Sequence, residues 1–167
     1  MAYLFLAILP AALIVAAAND LFEFKIPNWV SLILISGFPV AALSIGMPLS
    51  FLVEGAAIAA ATFIFGFALF ALKIAGGGDA KLLAAAAPWF GLDALLPFLT
   101  WTAFAGGFFA LLILMFRGFP MLPIYARFDW LMELYQTNKG MPYGVAIAIG
   151  GLAVIPEAPM FLGVFGG

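Results

Sequence analysis

Runs of about twenty apolar residues, separated by short polar breaks, leave this chain few folds to choose from. Phe51 to Ile74 carries only Glu54 and Lys73 as charges, and Ala80 to Phe116 continues for 37 residues with almost none. Hydrocarbon offers backbone groups no hydrogen-bond partner, so a spanning segment must satisfy its own, as a helix does. The composition agrees: 67 % of residues are hydrophobic and 8 % charged, where a soluble domain is about half apolar and a quarter charged. The expected fold is all-α: a polytopic membrane bundle of about six transmembrane helices, one integral membrane domain over residues 1–167.

Several kinds of chemistry are excluded at once. There is no Cys and no His, which removes the usual zinc sets, disulfides, thiol nucleophiles and histidine bases. No metal and no cofactor is expected. The net charge of −2 and the lack of a basic patch give no reason to expect nucleic acid. Any reaction must rest on Asp, Glu, Lys, Ser, Thr or Tyr.

In order, the first span runs from Met1 to Ala18 and ends in three alanines before Asn19-Asp20. No Lys or Arg precedes it, so it reads as a retained helix and not a cleaved signal. Pro27 closes the first polar break, and Trp29 to Gly46 is the second span, opened by an interfacial Trp. Met47-Pro48-Leu49-Ser50 is a turn, and Phe51 to Ile74 the third span. Gly76-Gly77-Gly78-Asp79-Ala80-Lys81 is the next break. A single helix over Ala80 to Phe116 would be about 55 Å long against roughly 30 Å of hydrocarbon. That segment therefore turns back, best at Gly91-Leu92-Asp93, with Leu96-Pro97 as the other choice. The fourth span is then short, and the fifth runs from about Leu95 to Phe116. Between Arg117 and Gly140, Phe128, Trp130, Leu131, Leu134 and Tyr135 suit a short interfacial helix; Asp129 and Glu133 read as its solvated face. Met141 to Phe161 is the sixth span, interrupted near Pro156-Glu157.

Six spans alternate the connections between two sides. Lys25, Lys73, Lys81, Arg117, Arg127 and Lys139 then share one side, with Glu54, Asp93 and Glu157 near the other. The positive-inside rule makes the first side cytoplasmic and puts both termini outside. Asp20 and Asp79 fall at one depth on the cytoplasmic side.

Two carboxylates at one depth suggest a dyad. Like charges about 3 Å apart do not both ionise cheaply, so one carboxylate acts as general base toward water while the other acts as general acid. Glycines before Asp79 would let a substrate backbone approach and permit unusual dihedrals, and a helix N-terminus there would favour the ionised acid. Plainer readings stand beside this one. Asp20 alone suits a solvated interfacial group or a helix-end cap, and Asp79 alone suits the N-cap of span four. Glu23 and Lys25 read as loop charges, Lys73 as a snorkelling side chain, and Lys81 as an interfacial anchor that could also orient the dyad or meet an acidic residue of the substrate.

Gly76-Gly77-Gly78-Asp79-Ala80-Lys81-Leu82 resembles the GxGD motif of type IV prepilin peptidases. Asp20, followed by Lys25-Ile26-Pro27-Asn28, resembles that family's first catalytic aspartate and its basic-Ile-Pro-Asn element. Met141-Pro142-Tyr143-Gly144 resembles the Pro-aromatic-Gly segment that opens its last helix. Order and spacing agree over essentially the whole chain. The resemblance implies an aspartic endopeptidase of the bacterial inner membrane, with Asp20 and Asp79 catalytic and Gly76, Gly78, Lys81, Pro27 and Asn28 in support. It implies cleavage of a short basic leader at the cytoplasmic face, after a glycine and before the apolar helix of a prepilin or pseudopilin. The first break holds only about ten residues and no Cys, as in the short members that serve Flp or Tad pili, so no methyltransferase activity is expected. Two other readings compete. A presenilin-type protease also uses GxGD, but its first aspartate follows Tyr where Asn19 stands here. A non-catalytic assembly or transport subunit would use the two aspartates to bind a cation or carry protons.

Overall fold

The computed structural model describes residues 2–120, 128–135 and 141–162, with the side chains of Ala2, Tyr3, Asp129 and Glu133 outside that description. Arg127, Lys139 and the solvated-face reading of Asp129 and Glu133 lie outside the described residues. Among the described residues seven α-helices form: α1 (Ile8–Glu23), α2 (Asn28–Ser44), α3 (Leu49–Ala71), α4 (Gly77–Ala86), α5 (Gly91–Gly118), α6 (Asp129–Tyr135) and α7 (Tyr143–Val154). A 3₁₀ segment, Ala2–Ala7, leads into α1; Ala87–Phe90 links α4 to α5, and Ile155–Glu157 follows α7. Among the described residues there is no strand.

Contacts between helices fix their directions. Gly144 of α7 lies against Asp20 and Gly151 against Leu13, so α1 and α7 are antiparallel. Gly106 of α5 lies against Tyr143 and Thr102 against Gly150, which makes α5 antiparallel to α7 as well. Gly66 of α3 meets Ala80 and Gly55 meets Pro88, so α3 opposes α4. Lys81 bonds to Asn28, and Trp89 Nε1 donates to the Leu34 carbonyl at 3.1 Å, so α2 runs with α4. Six helices thus alternate up and down, as the hydropathy pattern predicts. Helix α6 lies against one end of the bundle, with Trp130 edge-on to Phe22 and Tyr135 edge-on to Phe116.

The outward face is apolar. Ile64, Phe104 and Leu114 expose 69, 70 and 63 % of their surface, which only a lipid-facing helix tolerates in such number. Among the described residues, three segments are long and apolar enough to cross a membrane. The last of these, Gly77–Arg117, is no single rod, because Asp79, Leu83 and Leu99 line one cavity. It reverses at Gly91, whose φ of 60° with ψ of −178° suits glycine alone. Glu54 Oε1 accepts the Leu92 N–H at 2.9 Å and so caps the restarted helix from α3. Leu96-Pro97, the other expected turn, lies inside α5. With its 3₁₀ extension α4 is about 23 Å long, short of the roughly 30 Å hydrocarbon core.

The ends of the first and last spans differ from expectation. Helix α1 passes Ala18 and ends at Glu23, with Phe24 left-handed at φ 53°. Polar Asn19 stays helical because its amide donates to the Val15 carbonyl at 2.8 Å. The sixth span is shorter than Met141 to Phe161: Pro142 supplies no N–H, so α7 starts at Tyr143, and it loosens at Ile155-Pro156. Large buried side chains, Leu9, Leu34, Trp89, Phe90 and Phe98 among them, pack toward the Gly91 end. Phe90 and Phe98 stack there at 4.4 Å. The opposite end holds a cleft.

Candidate active site

Asp20 sits in the last turn of α1 and is 5 % exposed. A buried carboxylate needs hydrogen-bond donors. Its Oδ2 accepts the Gly144 N–H at 2.6 Å, 124 positions further along the chain. Gly144 is the second residue of α7, where backbone N–H groups lack helical acceptors and the dipole favours negative charge. A Cβ at 144 would stand 2.8 Å from both Asp20 Oδ2 and Ile26 Cδ1, so any side chain there would push one of them aside.

Asp79 is the third residue of α4, and Gly76 is the N-cap. The carboxylate turns back so that Oδ2 accepts the Gly76 N–H at 2.9 Å, the acid's half of a capping box. The expectation that Asp79 is itself the N-cap is therefore corrected by three positions. Gly76 has φ −75°, and none of Gly76, Gly77 and Gly78 has a positive φ. The unusual dihedrals expected there are absent, because the helix begins at once. These glycines serve clearance instead. A Cβ at Gly76 would come within 2.9 Å of Asp79 Oδ2, and one at Gly78 within 3.3 Å of Ile26 Cβ.

Both aspartates line one cleft of about 750 Å³, and they interact electrostatically. Its walls come from the end of α1, the loop to α2 and the start of α4, and they include every residue singled out from the sequence: Asp20, Asp79, Gly76, Gly78, Lys81, Pro27 and Asn28. Pro27 is the N-cap of α2, and its fixed φ turns the chain into that helix. Lys81 Nζ donates to Asn28 Oδ1 at 3.1 Å, tying α4 to the first residue of α2. Lys81 is thus held in the cleft wall, not only anchored at an interface. Among the described residues it forms no ion pair.

Glu23, Lys25 and Met141 also line the cleft, although Glu23 and Lys25 read from the sequence as ordinary loop charges. Gly144 was not expected to touch an aspartate. Its sequence signals are its place in the Pro-aromatic-Gly segment and a glycine early in a helix, where helix propensity disfavours it; neither names its partner. On each aspartate one oxygen is held by a backbone N–H, and the other has no partner among the described residues. Such an arrangement fixes two carboxyl groups and leaves an oxygen of each for water or substrate.

A search of curated proteins and one of solved structures each gave no match. Among protein-family models, that of the type IV leader peptidase family matches residues 7–111, more than half of the chain. That match contains Asp20, the loop through Asn28 and the whole Gly76–Lys81 motif. With its apolar helix bundle and a cleft built on two aspartates, the chain belongs to the type IV leader peptidase family and is a membrane peptidase by class.

Proposed function

We propose that the chain is an aspartic endopeptidase that removes the leader of type IV prepilins or pseudopilins, of the Flp type, at the cytoplasmic face of the inner membrane. The observation that carries this reading is the shared cleft, with each aspartate anchored through one oxygen at a helix N-terminus. In the proposed reaction one carboxylate is ionised and takes a proton from water. The water oxygen attacks the scissile carbonyl, while the protonated partner hydrogen-bonds the carbonyl oxygen. The resulting tetrahedral species collapses as the leaving amine is protonated. Reciprocal exchange of the two roles restores the starting state.

The described basic residues support the cytoplasmic assignment. Lys25 and Lys81 line the cleft, Lys73 lies three residues before Gly76, and Arg117 ends α5 beside the same face. An excess of Lys and Arg marks the cytoplasmic side of a membrane protein.

The test is processing of a co-expressed prepilin with a short basic leader. Asp20→Asn and Asp79→Asn should each abolish cleavage while the protein still inserts, since an amide cannot accept the proton of the attacking water. Normal processing by either variant would remove the dyad. Proton or cation flux in proteoliposomes without cleavage would favour a transport subunit instead.

A further inference from the structure

Helix α6 takes no part in the cleft, since none of its residues borders the two aspartates. None of its described side chains belongs to the buried core either. Its attachments to the bundle are nevertheless specific. Arg117 Nε donates to the Leu134 carbonyl at 3.0 Å, and the Tyr135 hydroxyl donates to the Phe119 carbonyl at 2.9 Å. These two bonds tie the C-terminal end of α6 to the end of α5. The Leu134 carbonyl is one that a helix leaves without a partner of its own, and a cation suits a helix C-terminus. Toward the start of α6, Trp130 meets the ring of Phe22 edge-on, with centroids 5.9 Å apart. Leu134 shares a cavity of about 200 Å³ with Leu21 and Pro142. Helix α6 thus bridges α5 to the last turn of α1 and borders the start of α7.

Those two neighbours hold the Asp20 site. Asp20 lies in the last turn of α1, and the last turns of helices fray. Residues two apart on a helix point about 200° from one another, so Asp20 and Phe22 take opposite sides of that turn. Asp20 faces the cleft and the Gly144 N–H, while Phe22 faces α6. Leu21 follows Asp20 directly, and Pro142 stands two residues before Gly144.

We infer that α6 is a brace behind the last turn of α1, and that Trp130, acting through Phe22, is a positioning residue for Asp20. The inference rests on the reading that Asp20 and Asp79 cleave a peptide. The Gly144 N–H holds one carboxylate oxygen from the front, but it does not fix the backbone that carries the side chain. Trp130 supplies the support from behind, and the two hydrogen bonds to α5 keep it in place. A helix that served only as an interfacial anchor would need apolar side chains turned to the lipid. It would not need a ring set against the turn that carries an aspartate.

The test is a double-mutant cycle across the ring contact, read by prepilin processing kinetics in detergent beside thermal unfolding. A displacement of about 1 Å costs on the order of a hundredfold, and a loosened turn is displaced only part of the time, so Trp130→Ala and Phe22→Ala should each lower kcat roughly tenfold. KM and the unfolding temperature should change little, because α6 borders neither the cleft nor the core. The double variant should be no worse than either single one, since both remove the same contact. Trp130→Phe keeps a ring and should restore most of kcat. Phe128→Ala removes an exposed aromatic side chain just before α6 that meets no other ring among the described residues, and kcat should stay unchanged. Unaltered kcat in Trp130→Ala, additive losses in the double variant, or an equal loss in Phe128→Ala would overturn the brace. So would a loss matched by a fall in unfolding temperature, which marks general packing. If Trp130→Ala does not insert, Phe22→Ala probes the same contact from α1 and decides alone. The two readings fail separately. An unaltered protein that cuts no prepilin ends the peptidase reading, whereas normal processing by the unaltered protein and by Trp130→Ala alike ends the brace alone.

Discussion

A hydrogen bond of 2.6 Å from Gly144 to Asp20 joins the two ends of the chain at the candidate active site. Gly144 therefore acts as a positioning residue for Asp20. Gly144→Ala puts a methyl group where Asp20 Oδ2 and Ile26 Cδ1 now stand, so the carboxylate must shift or the helix must back away. Misplacement of a reacting group by about 1 Å costs on the order of a hundredfold in rate. The expected outcome is a fall in kcat of roughly tenfold to a hundredfold with KM little changed, read by processing kinetics in detergent. The partner variant Ile26→Ala relieves one of the two clashes and should restore part of the activity to the double variant. At this scale the sequence was partly legible. Asp20 and Asp79 stood out because charge is rare in a chain this apolar, and both border the cleft. Gly144 stood in the Pro-aromatic-Gly segment, but its role was hidden, because it depends on a contact 124 positions away, which no local pattern reports.

The helices were legible where apolar runs end in a strong stop and less so where polar residues tolerate helix. Helix α2 starts beside Pro27 as expected, and α4 and α5 part at Gly91. Helix α1 instead carries Asn19 and Asp20 inside its last turns, because Asn19 satisfies a carbonyl of its own helix and Asp20 finds a donor on another. The sharp reversal at Gly91 gives an element-scale prediction. Its φ of 60° lies where side chains are strained, and a Cβ there would come 3.0 Å from the ring of Phe51. Gly91→Ala should destabilise the bundle by about 1–3 kcal/mol, measured by thermal unfolding in detergent. Glu54→Ala strips the Leu92 N–H of its acceptor and should cost about 1–2 kcal/mol in the same assay. Both positions lie at the end remote from the aspartates, so stability should fall further than the rate of cleavage by the folded fraction.

At the scale of the whole molecule, the alternation of six helices sets which residues share a face. Asp20, Asp79, Lys25 and Lys81 meet in one cleft, while Ser50 lies in the first turn of α3 and Asp93 in the first turn of α5 at the other end. Four described basic residues lie toward the cleft end, and Glu54 and Asp93 lie toward the other. Moving a basic loop across the membrane is the disfavoured event, so the cleft end should remain in the cytoplasm. Cysteine labelling with a membrane-impermeant maleimide checks this in spheroplasts. Lys73, Ser50 and Asp93 are exposed, and none lines the cleft. Ser50→Cys and Asp93→Cys should react from outside, and Lys73→Cys only after permeabilisation. Reaction of all three from one side would break the alternation of helices. The opposite pattern would keep the bundle but turn it over, leaving the aspartates outside, where a leader still held in the cytoplasm could not reach them. Because the same charges both orient the bundle and border the cleft, orientation and chemistry are coupled in this chain. Lys25→Glu combined with Lys73→Glu should therefore reduce correct insertion and prepilin processing together, whereas Asp79→Asn should stop processing with insertion unchanged.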